Sequence, residues 1–217
     1  MYITMRDGVR LAADIYRPAE PGRYPGILSM SPYIKEIQQW PPAISHSIEA
    51  GNTGWWVRQG YVHVIVASRG SGLSQGQWSP FDLAQQQDGY DMVEWIAQQP
   101  WCDESVTMMG DSYFAIMQWL VALQRPPHLK CIAPVDGSTD FYRDYAWKGG
   151  LFNTSFFGMW GPDTLAQCYW PGEVEGKLPP ANMFNAFLSH PEDSEFWWNM
   201  SSWTRLQDLE VPVLSVV

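Results

Sequence analysis

Positive charge is scarce in this sequence. Its 217 residues include 13 lysines and arginines against 23 aspartates and glutamates, so the formal net charge is −10. Nucleic acid and anionic membrane surfaces would repel such a chain, and no cluster of basic residues offsets the repulsion. We therefore expect neither nucleic acid nor a membrane among its partners.

Cysteine is also scarce, and long apolar runs are missing. Cys102, Cys131 and Cys168 are odd in number and lack CxxC spacing, which argues against a disulfide framework or a zinc site. We expect free buried thiols in a reducing compartment, no metal and no organic cofactor. The sequence has no apolar run of about eighteen residues, the length needed to span a bilayer. The first residues do not resemble a signal peptide, so the expected location is cytoplasmic.

Aromatic residues, in contrast, are abundant. The chain has 13 Trp, 10 Tyr and 9 Phe, and 46% of its residues are hydrophobic while 17% are charged. A disordered chain would have few aromatic and many charged residues. The length suffices for one sizeable core, or for one domain with a large insertion.

Strand and helix patterns alternate through the first part of the chain. Asp7-Gly8 predicts a hairpin that leads into a strand over residues 9–16. Further strands are predicted over residues 24–30, 62–66, 105–109 and 130–134, and helices over residues 82–99 and 113–124. This alternation predicts an α/β fold with a mostly parallel sheet flanked by helices.

The pattern changes near residue 138. Residues 138–205 are rich in Trp, Phe, Asn, Gly and Pro without strand alternation, which indicates a mostly helical insertion. Strand character returns over residues 211–217. We therefore predict a core over residues 1–137, an insertion over residues 138–205 and a return strand of the core within residues 206–217.

A candidate nucleophile lies between a predicted strand and a predicted helix, in Gly110-Asp111-Ser112-Tyr113. A serine on such a tight turn is exposed above the sheet, and the residue two positions before it must be small. The free amides of the helix N-terminus can stabilise a negative oxygen. Alternatively, Ser112 is an ordinary helix N-cap, because Gly-x-Ser is common. Phe114 stands where the usual Gly-x-Ser-x-Gly motif has its second glycine.

Other stretches extend the pattern around this turn. They are Met5-Arg6-Asp7-Gly8, Ser31-Pro32-Tyr33, Arg69-Gly70-Ser71-Gly72-Leu73-Ser74-Gln75-Gly76 and Asp88-Gly89-Tyr90-Asp91. Together with Gly110-Asp111-Ser112-Tyr113 they resemble the Xaa-Pro dipeptidyl-peptidase and cocaine esterase family, the CocE/NonD-type α/β-hydrolases related to α-amino acid ester hydrolases. The resemblance covers residues 1–217.

Two positions depart from that family. It usually has Gly where Ala115 stands, a small change that the helix can absorb. It often has Asp where Ala67 stands, so we expect no ion pair at the neighbouring Arg69. Arg69 is instead expected to bond backbone carbonyls of its glycine-rich loop.

The resemblance implies an α/β-hydrolase fold with a helical lid insertion and with its C-terminal part missing from this chain. It implies that Ser112 attacks the substrate carbonyl. The backbone N–H of Tyr113 and the hydroxyl of Tyr33 would form the oxyanion hole. A phenol with a pKa near ~10 stays protonated at neutral pH and can donate. The alternative for Tyr33 is a core aromatic residue with a satisfied hydroxyl.

The catalytic acid and base are expected outside this chain. In this fold both follow the serine, and the family places them after the strand that residues 211–217 resemble. Asp136 or Asp140 with His190 has the correct order, but the resemblance predicts a structural His190. No motif supports the remaining histidines: His46 in a loop, His63 in a strand expected in the core, and His128 in a surface turn.

The aromatic residues of the insertion suggest an acyl pocket. The resemblance implies that the lid covers the nucleophile and excludes water, and we assign Trp147, Phe152 and Phe156 to the pocket. Alternatively, most of these rings pack the insertion onto the sheet.

The predicted activity is hydrolysis of an ester or amide, of acyl or Xaa-Pro type, through an acyl-enzyme on Ser112 in a longer chain. Alternatives are acyl transfer to an amine or alcohol, and a catalytically silent fragment that assembles with a partner. The expected partners are a small-molecule ester or amide and either a second copy or a completing chain.

Overall fold

The computed structural model describes residues 1–40 and 49–216. Within these residues the centre of the molecule is a six-stranded sheet with the order β1-β2-β4-β3-β5-β6. The strands are β1 (Tyr2–Thr4), β2 (Arg10–Tyr16), β3 (Tyr24–Ser31), β4 (Val62–Ala67), β5 (Cys102–Asp111) and β6 (Leu129–Val135). β3 pairs in parallel with β4 and β5, and β5 with β6, whereas β2 pairs antiparallel with β1 and β4. The predicted, mostly parallel sheet is confirmed.

Helices connect and flank these strands. They are α1 (Thr53–Arg58), α2 (Leu83–Ala97) and α3 (Tyr113–Ala122). Asp82 caps α2, because its side chain accepts a hydrogen bond from the Gln85 N–H. Every residue of α3 is buried. α2 comes close to α3 at Gly89, where a Cβ would lie 2.1 Å from Cγ2 of Val121, so the absence of a side chain there permits the contact.

The chain after β6 forms mainly helices and turns. These are a π-helical turn (Tyr142–Ala146), a hairpin of β7 (Trp147–Lys148) and β8 (Leu151–Phe152), the helices α4 (Thr154–Tyr169), α5 (Met183–Leu188) and α6 (Glu195–Trp198), and a 3₁₀ helix (Trp203–Asp208). Their buried rings Phe157, Phe187 and Trp197 belong to the same hydrophobic cluster as the sheet. The division at residues 137 and 205 stays a prediction.

The described part of the chain contains no candidate membrane-spanning helix. None of its helices combines the length and the apolar character needed to cross a bilayer.

The last described residues lie beside β6. The Ile132 N–H donates to the Pro212 carbonyl at 3.1 Å, and the Leu214 N–H donates back to the Ile132 carbonyl at 3.0 Å. Parallel bridges pair Ile132 with Val213 and Val135 with Val216. This segment therefore extends the sheet where the sequence predicts a strand, and Val217 lies outside the described residues.

His63 lies in the core, as predicted, and its ring is satisfied on both sides. Its Nδ1 is 2.7 Å from the Thr53 hydroxyl and its Nε2 is 2.9 Å from the Ser29 hydroxyl. Because Ser29 donates to the Met109 carbonyl, it accepts from Nε2, which fixes the tautomer. Burial lowers the pKa of His63 to about 4. A neutral His63 thus joins α1, β3, β4 and β5.

Arg69 corrects one expectation. Its guanidinium forms a two-point ion pair with the buried Asp88, at 2.7 and 2.6 Å, and a third contact with Asp7 at 3.0 Å. The sequence suggested bonds to backbone carbonyls and no ion pair, because Ala67 replaces an acidic residue. The carboxylates come instead from α2 and from the N-terminal hairpin, so Arg69 ties both to its glycine-rich loop.

Breaking this buried ion pair should cost more than breaking an exposed one. We expect Asp88→Asn to lower the free energy of unfolding by about 3 kcal/mol, because it leaves a largely buried guanidinium without its main partner. Glu210→Gln is the matched control: Glu210 pairs with Arg125 at 3.3 Å, but their side chains are 67% and 50% exposed, so the expected loss is below about 1 kcal/mol. Urea denaturation measures both, and equal losses would contradict this interpretation.

Candidate active site

The turn between β5 and α3 holds Ser112 in an unusual backbone conformation. Its φ is 56° and its ψ is −114°, a region that side-chain-bearing residues rarely occupy. Gly110, two residues earlier, has φ 134°, and a Cβ there would lie 2.5 Å from the Cβ of Phe114. Only glycine fits that position, which explains why the residue two positions before Ser112 is small.

Backbone hydrogen bonds fix this turn from two sides. The Ser112 N–H donates to the Val135 carbonyl at the end of β6, at 3.0 Å. The Asp111 N–H donates to the Glu49 carbonyl, also at 3.0 Å. The Ser112 side chain makes no capping hydrogen bond to the first turn of α3. The alternative of an ordinary side-chain N-cap therefore does not describe this serine, and its hydroxyl is available for other contacts.

Tyr33 lies beside Ser112 because of the sheet topology. It follows β3 by two residues, and Ser112 follows β5; since these strands are parallel neighbours, their carboxyl ends share one edge. Tyr33 is 3% exposed, and its ring meets the Tyr113 and Phe114 rings edge-on at 5.9 and 6.2 Å. It thus packs as a core residue and also borders the candidate nucleophile.

The Tyr33 hydroxyl is in a polar network despite this burial. The indole Nε1 of Trp160, on α4, donates to it at 2.9 Å. Burial, and after it the charge of Glu49, raise the pKa of Tyr33 well above its ordinary value, whereas hydrogen bonding to Trp160 and Ser112 opposes the rise. The phenol therefore stays protonated at neutral pH and has a proton to donate.

Tyr113 divides its roles between backbone and side chain. As the first residue of α3, it has a backbone N–H that no carbonyl within the helix accepts. Its phenol is fully occupied elsewhere, because it donates to Gln85 at 3.1 Å and accepts from Trp78 at 3.3 Å. The backbone N–H is consequently the group that Tyr113 can offer to an oxyanion.

A small cavity opens onto Ser112. It is lined by Tyr33, Phe81, Ser112, Tyr113, Ile116, Phe141, Tyr145, Phe156 and Trp160, and its volume is about 10 Å³. That is room for roughly one water molecule. The described residues thus leave little free space beside Ser112.

The three aromatic residues assigned to the acyl pocket lie at different distances from this cavity. Phe156 lines it directly. Phe152 stacks on Phe157 at 5.2 Å, and Trp147 packs on Phe152 at 5.2 Å. Neither Trp147 nor Phe152 is among the lining residues, so their part in a pocket stays a prediction.

Three carboxyl groups interact near the turn, those of Glu49, Asp111 and Asp136. Burial, and after it the charges of Asp111 and Asp136, raise the pKa of Glu49 to about 8, and hydrogen bonding to Ser112 opposes the rise. Among the described residues, Oε2 of Glu49 and Oδ1 of Asp111 are buried without a hydrogen-bond partner. Glu49 comes from a loop distant in sequence and belongs to no motif, so no local signal indicated it.

The described histidines bond groups other than Ser112. His63 is in the core network, His128 contacts the Glu94 carboxylate at 2.7 Å, and His190 bonds the Ala186 carbonyl and stacks on Phe196. His46 lies outside the described residues. Likewise, across residues 1–40 and 49–216 no group of three or more His, Cys, Asp or Glu side chains could hold a metal ion.

Ala115 fits α3 because of a glycine on another segment. A Cβ added at Gly137, just after β6, would lie 2.3 Å from the Cβ of Ala115. The methyl group of Ala115 thus occupies space that Gly137 leaves free. This explains how the turn accommodates a residue larger than glycine at position 115.

Comparisons with known proteins agree with this architecture. The sequence model described as "X-Pro dipeptidyl-peptidase (S15 family)" matches residues 7–217. The cocaine esterase of Rhodococcus sp. is 30% identical over 247 aligned positions, covering 98% of this chain. A Mycobacterium bovis protein whose name describes a serine esterase is 35% identical over 176 positions, covering 74% of this chain.

Solved structures show the same similarity. A CocE/NonD family hydrolase from Staphylococcus aureus superposes with a TM-score of 0.85 at 32% identity, covering 98% of this chain and 39% of that one. An α-amino acid ester hydrolase superposes with a TM-score of 0.77 at 20% identity, which concerns the fold alone.

The matched proteins are longer than this chain. It spans 28% of the Mycobacterium bovis protein and 42% of the cocaine esterase. Because the family match runs over nearly the whole chain and the mostly parallel sheet is the same, the chain belongs to the X-Pro dipeptidyl-peptidase (S15) family, with the α/β-hydrolase fold of its CocE/NonD relatives.

Proposed function

We propose that this chain carries the nucleophile and the oxyanion hole of a serine hydrolase that cleaves ester or amide bonds through an acyl-enzyme on Ser112. One observation carries the proposal: the Ser112 side chain, free of helix capping, borders a cavity whose wall includes the Tyr33 hydroxyl and the N-terminus of α3. The esterase and peptidase names of the relatives support the reaction class.

In the proposed reaction, the Ser112 Oγ bonds to the substrate carbonyl carbon while a base takes its proton. The Tyr33 hydroxyl and the Tyr113 N–H donate to the resulting oxyanion. Collapse of this intermediate releases an alcohol or amine, which receives the proton. Water, deprotonated by the same base, then attacks the carbonyl carbon of the acyl-enzyme. This second step releases the acid and restores the Ser112 hydroxyl.

The base is proposed to lie in polypeptide that follows residue 217 or in a completing chain. The contacts of His63, His128 and His190 in the structure support this, because each ring nitrogen described above bonds another group. Serine without a base is a poor nucleophile. This chain alone is accordingly proposed to be catalytically silent.

The substrate is proposed to be a small molecule with a compact acyl group. The cavity beside Ser112, about 10 Å³, supports the limit on size. Larger acyl groups would require Phe156 and Trp160 to move, and both lie on α4. We therefore propose that residues 138–205 act as a lid.

Labelling with a fluorophosphonate tests the nucleophile. We expect mass spectrometry to find the phosphonyl group on Ser112 in a polypeptide that extends beyond residue 217, and none after Ser112→Ala. This chain alone should react far more slowly, because it lacks the base. Modification of another serine in the longer polypeptide would overturn the proposal, whereas fast labelling of this chain alone would overturn the external base.

Removing the Tyr33 hydroxyl should slow the chemical step. In the polypeptide that extends beyond residue 217, we expect Tyr33→Phe to lower kcat by about 10²–10³-fold, the usual cost of losing one oxyanion donor, with a smaller change in KM. Tyr142→Phe is the matched control, because its hydroxyl donates to the Pro191 carbonyl and does not line the cavity. Equal kcat values for Tyr33→Phe and the unmodified protein would exclude Tyr33 from the oxyanion hole.

Glu49 should make Ser112 reactivity fall at alkaline pH. Its pKa of about 8 keeps it mostly neutral at pH 7, and ionisation above pH 8 places a negative charge beside the developing oxyanion. We expect the labelling rate to fall above about pH 8 and Glu49→Gln to abolish that fall. Glu94→Gln, which removes a carboxylate bound to His128, should retain it.

The same pKa gives a readout in stability. Between pH 4.5 and 8 the folded protein keeps a proton on Glu49 that the unfolded chain has released, so stability from this group falls as pH rises. The full effect is up to about 5 kcal/mol. Denaturation of Glu49→Gln should lack this component, and an unchanged pH dependence would show that Glu49 is not the group responsible.

A further inference from the structure

Trp160 contacts the candidate oxyanion hole through its nitrogen. The indole N–H is a donor without acceptor capacity, and it is directed at the Tyr33 oxygen at 2.9 Å. The Tyr33 oxygen therefore accepts a hydrogen bond on the side that faces α4. Its own proton must point elsewhere, and the Ser112 side chain lines the same cavity as Tyr33.

The ring of Trp160 is held in the orientation that this bond requires. Phe156 stacks on it at 5.6 Å and Tyr113 at 6.4 Å, while Trp78 contacts it at 6.3 Å. The side chain is 9% exposed. Aromatic contacts from α4 itself, from α3 and from the glycine-rich loop region thus fix where the N–H points.

A hydroxyl that accepts a hydrogen bond becomes a stronger donor, because bonds in a chain polarise one another. The effect is larger at a buried site such as this one. The N–H of Trp160 would therefore both orient the Tyr33 proton toward Ser112 and strengthen its donation.

We propose that Trp160 is a positioning residue of the oxyanion hole, which acts by directing the Tyr33 hydroxyl toward the oxygen that forms beside Ser112. This inference rests on the proposed function and adds to it a residue outside every recognised motif. It also links α4 to the chemistry, because the oxyanion hole is complete only while α4 is seated over Tyr33.

Binding of methylboronic acid to the polypeptide that extends beyond residue 217, measured by ¹¹B NMR, tests this without turnover. A boronic acid adds to a serine hydroxyl as a tetrahedral anion that resembles the intermediate, and one methyl group suits the small cavity. We expect Trp160→Phe to weaken binding about tenfold when Tyr33 is present. In a Tyr33→Phe background the same substitution should change Kd by less than about twofold.

Two controls separate this role from packing. Trp197→Phe removes another buried indole, whose N–H donates to the His190 carbonyl at 2.8 Å, and should leave boronate binding unchanged. Replacing Trp160 with the isosteric benzothienylalanine keeps the ring volume and removes only the N–H, so it should weaken binding as Trp160→Phe does. Weakening by Trp160→Phe that is equal in both Tyr33 backgrounds would overturn the inference.

An NMR measurement tests the hydrogen bond directly if a variant of Trp160 folds poorly. In ¹⁵N-labelled protein, Tyr33→Phe should shift the Trp160 indole resonance and leave that of Trp197 in place; no shift would overturn the hydrogen bond itself. Failure of methylboronic acid to bind Ser112 in the unmodified polypeptide that extends beyond residue 217 would contradict the proposed function and this inference together. Binding that is insensitive to the indole N–H would contradict the inference alone.

Discussion

Everything proposed for this molecule depends on the backbone of Ser112. A non-glycine residue in such a conformation costs of order 1–3 kcal/mol, and the surroundings must supply it. Burial of every residue of α3 contributes to it, as do the hydrogen bonds from Ser112 to Val135 and from Asp111 to Glu49. The strain presents the serine hydroxyl to a cavity and leaves helix amides free beside it.

Two opposing electrostatic effects act on a negative oxygen beside Ser112. The N–H groups at the start of α3 favour a negative oxygen, whereas Glu49, Asp111 and Asp136 oppose one. The raised pKa of Glu49 reduces the conflict at neutral pH, because one of the three carboxyls is then largely uncharged. Burial of an acid next to two others therefore limits the negative charge beside Ser112.

The sequence predicted the elements that local patterns define. The buried run of β4, the Asp82 cap of α2 and the glycine-dependent turn before α3 all have signals within a few residues, and the structure confirms these elements. The contacts that join distant segments had no such signal. Arg69 with Asp88, Trp160 with Tyr33 and Glu49 beside Ser112 depend on which loops the sheet topology brings together, and pattern analysis does not give that order.

The contact between Ala115 and Gly137 makes their substitutions interdependent. With Ala115 present, a methyl group at position 137 would overlap it. With glycine at position 115 the overlap with the side chain would be gone, but the same methyl group would still lie 3.1 Å from the backbone carbonyl carbon of residue 115. A methyl group at position 137 therefore costs less after the methyl group at position 115 has been removed than before. The effect of a substitution at either site, twenty-two residues apart in the sequence, therefore depends on which residue occupies the other.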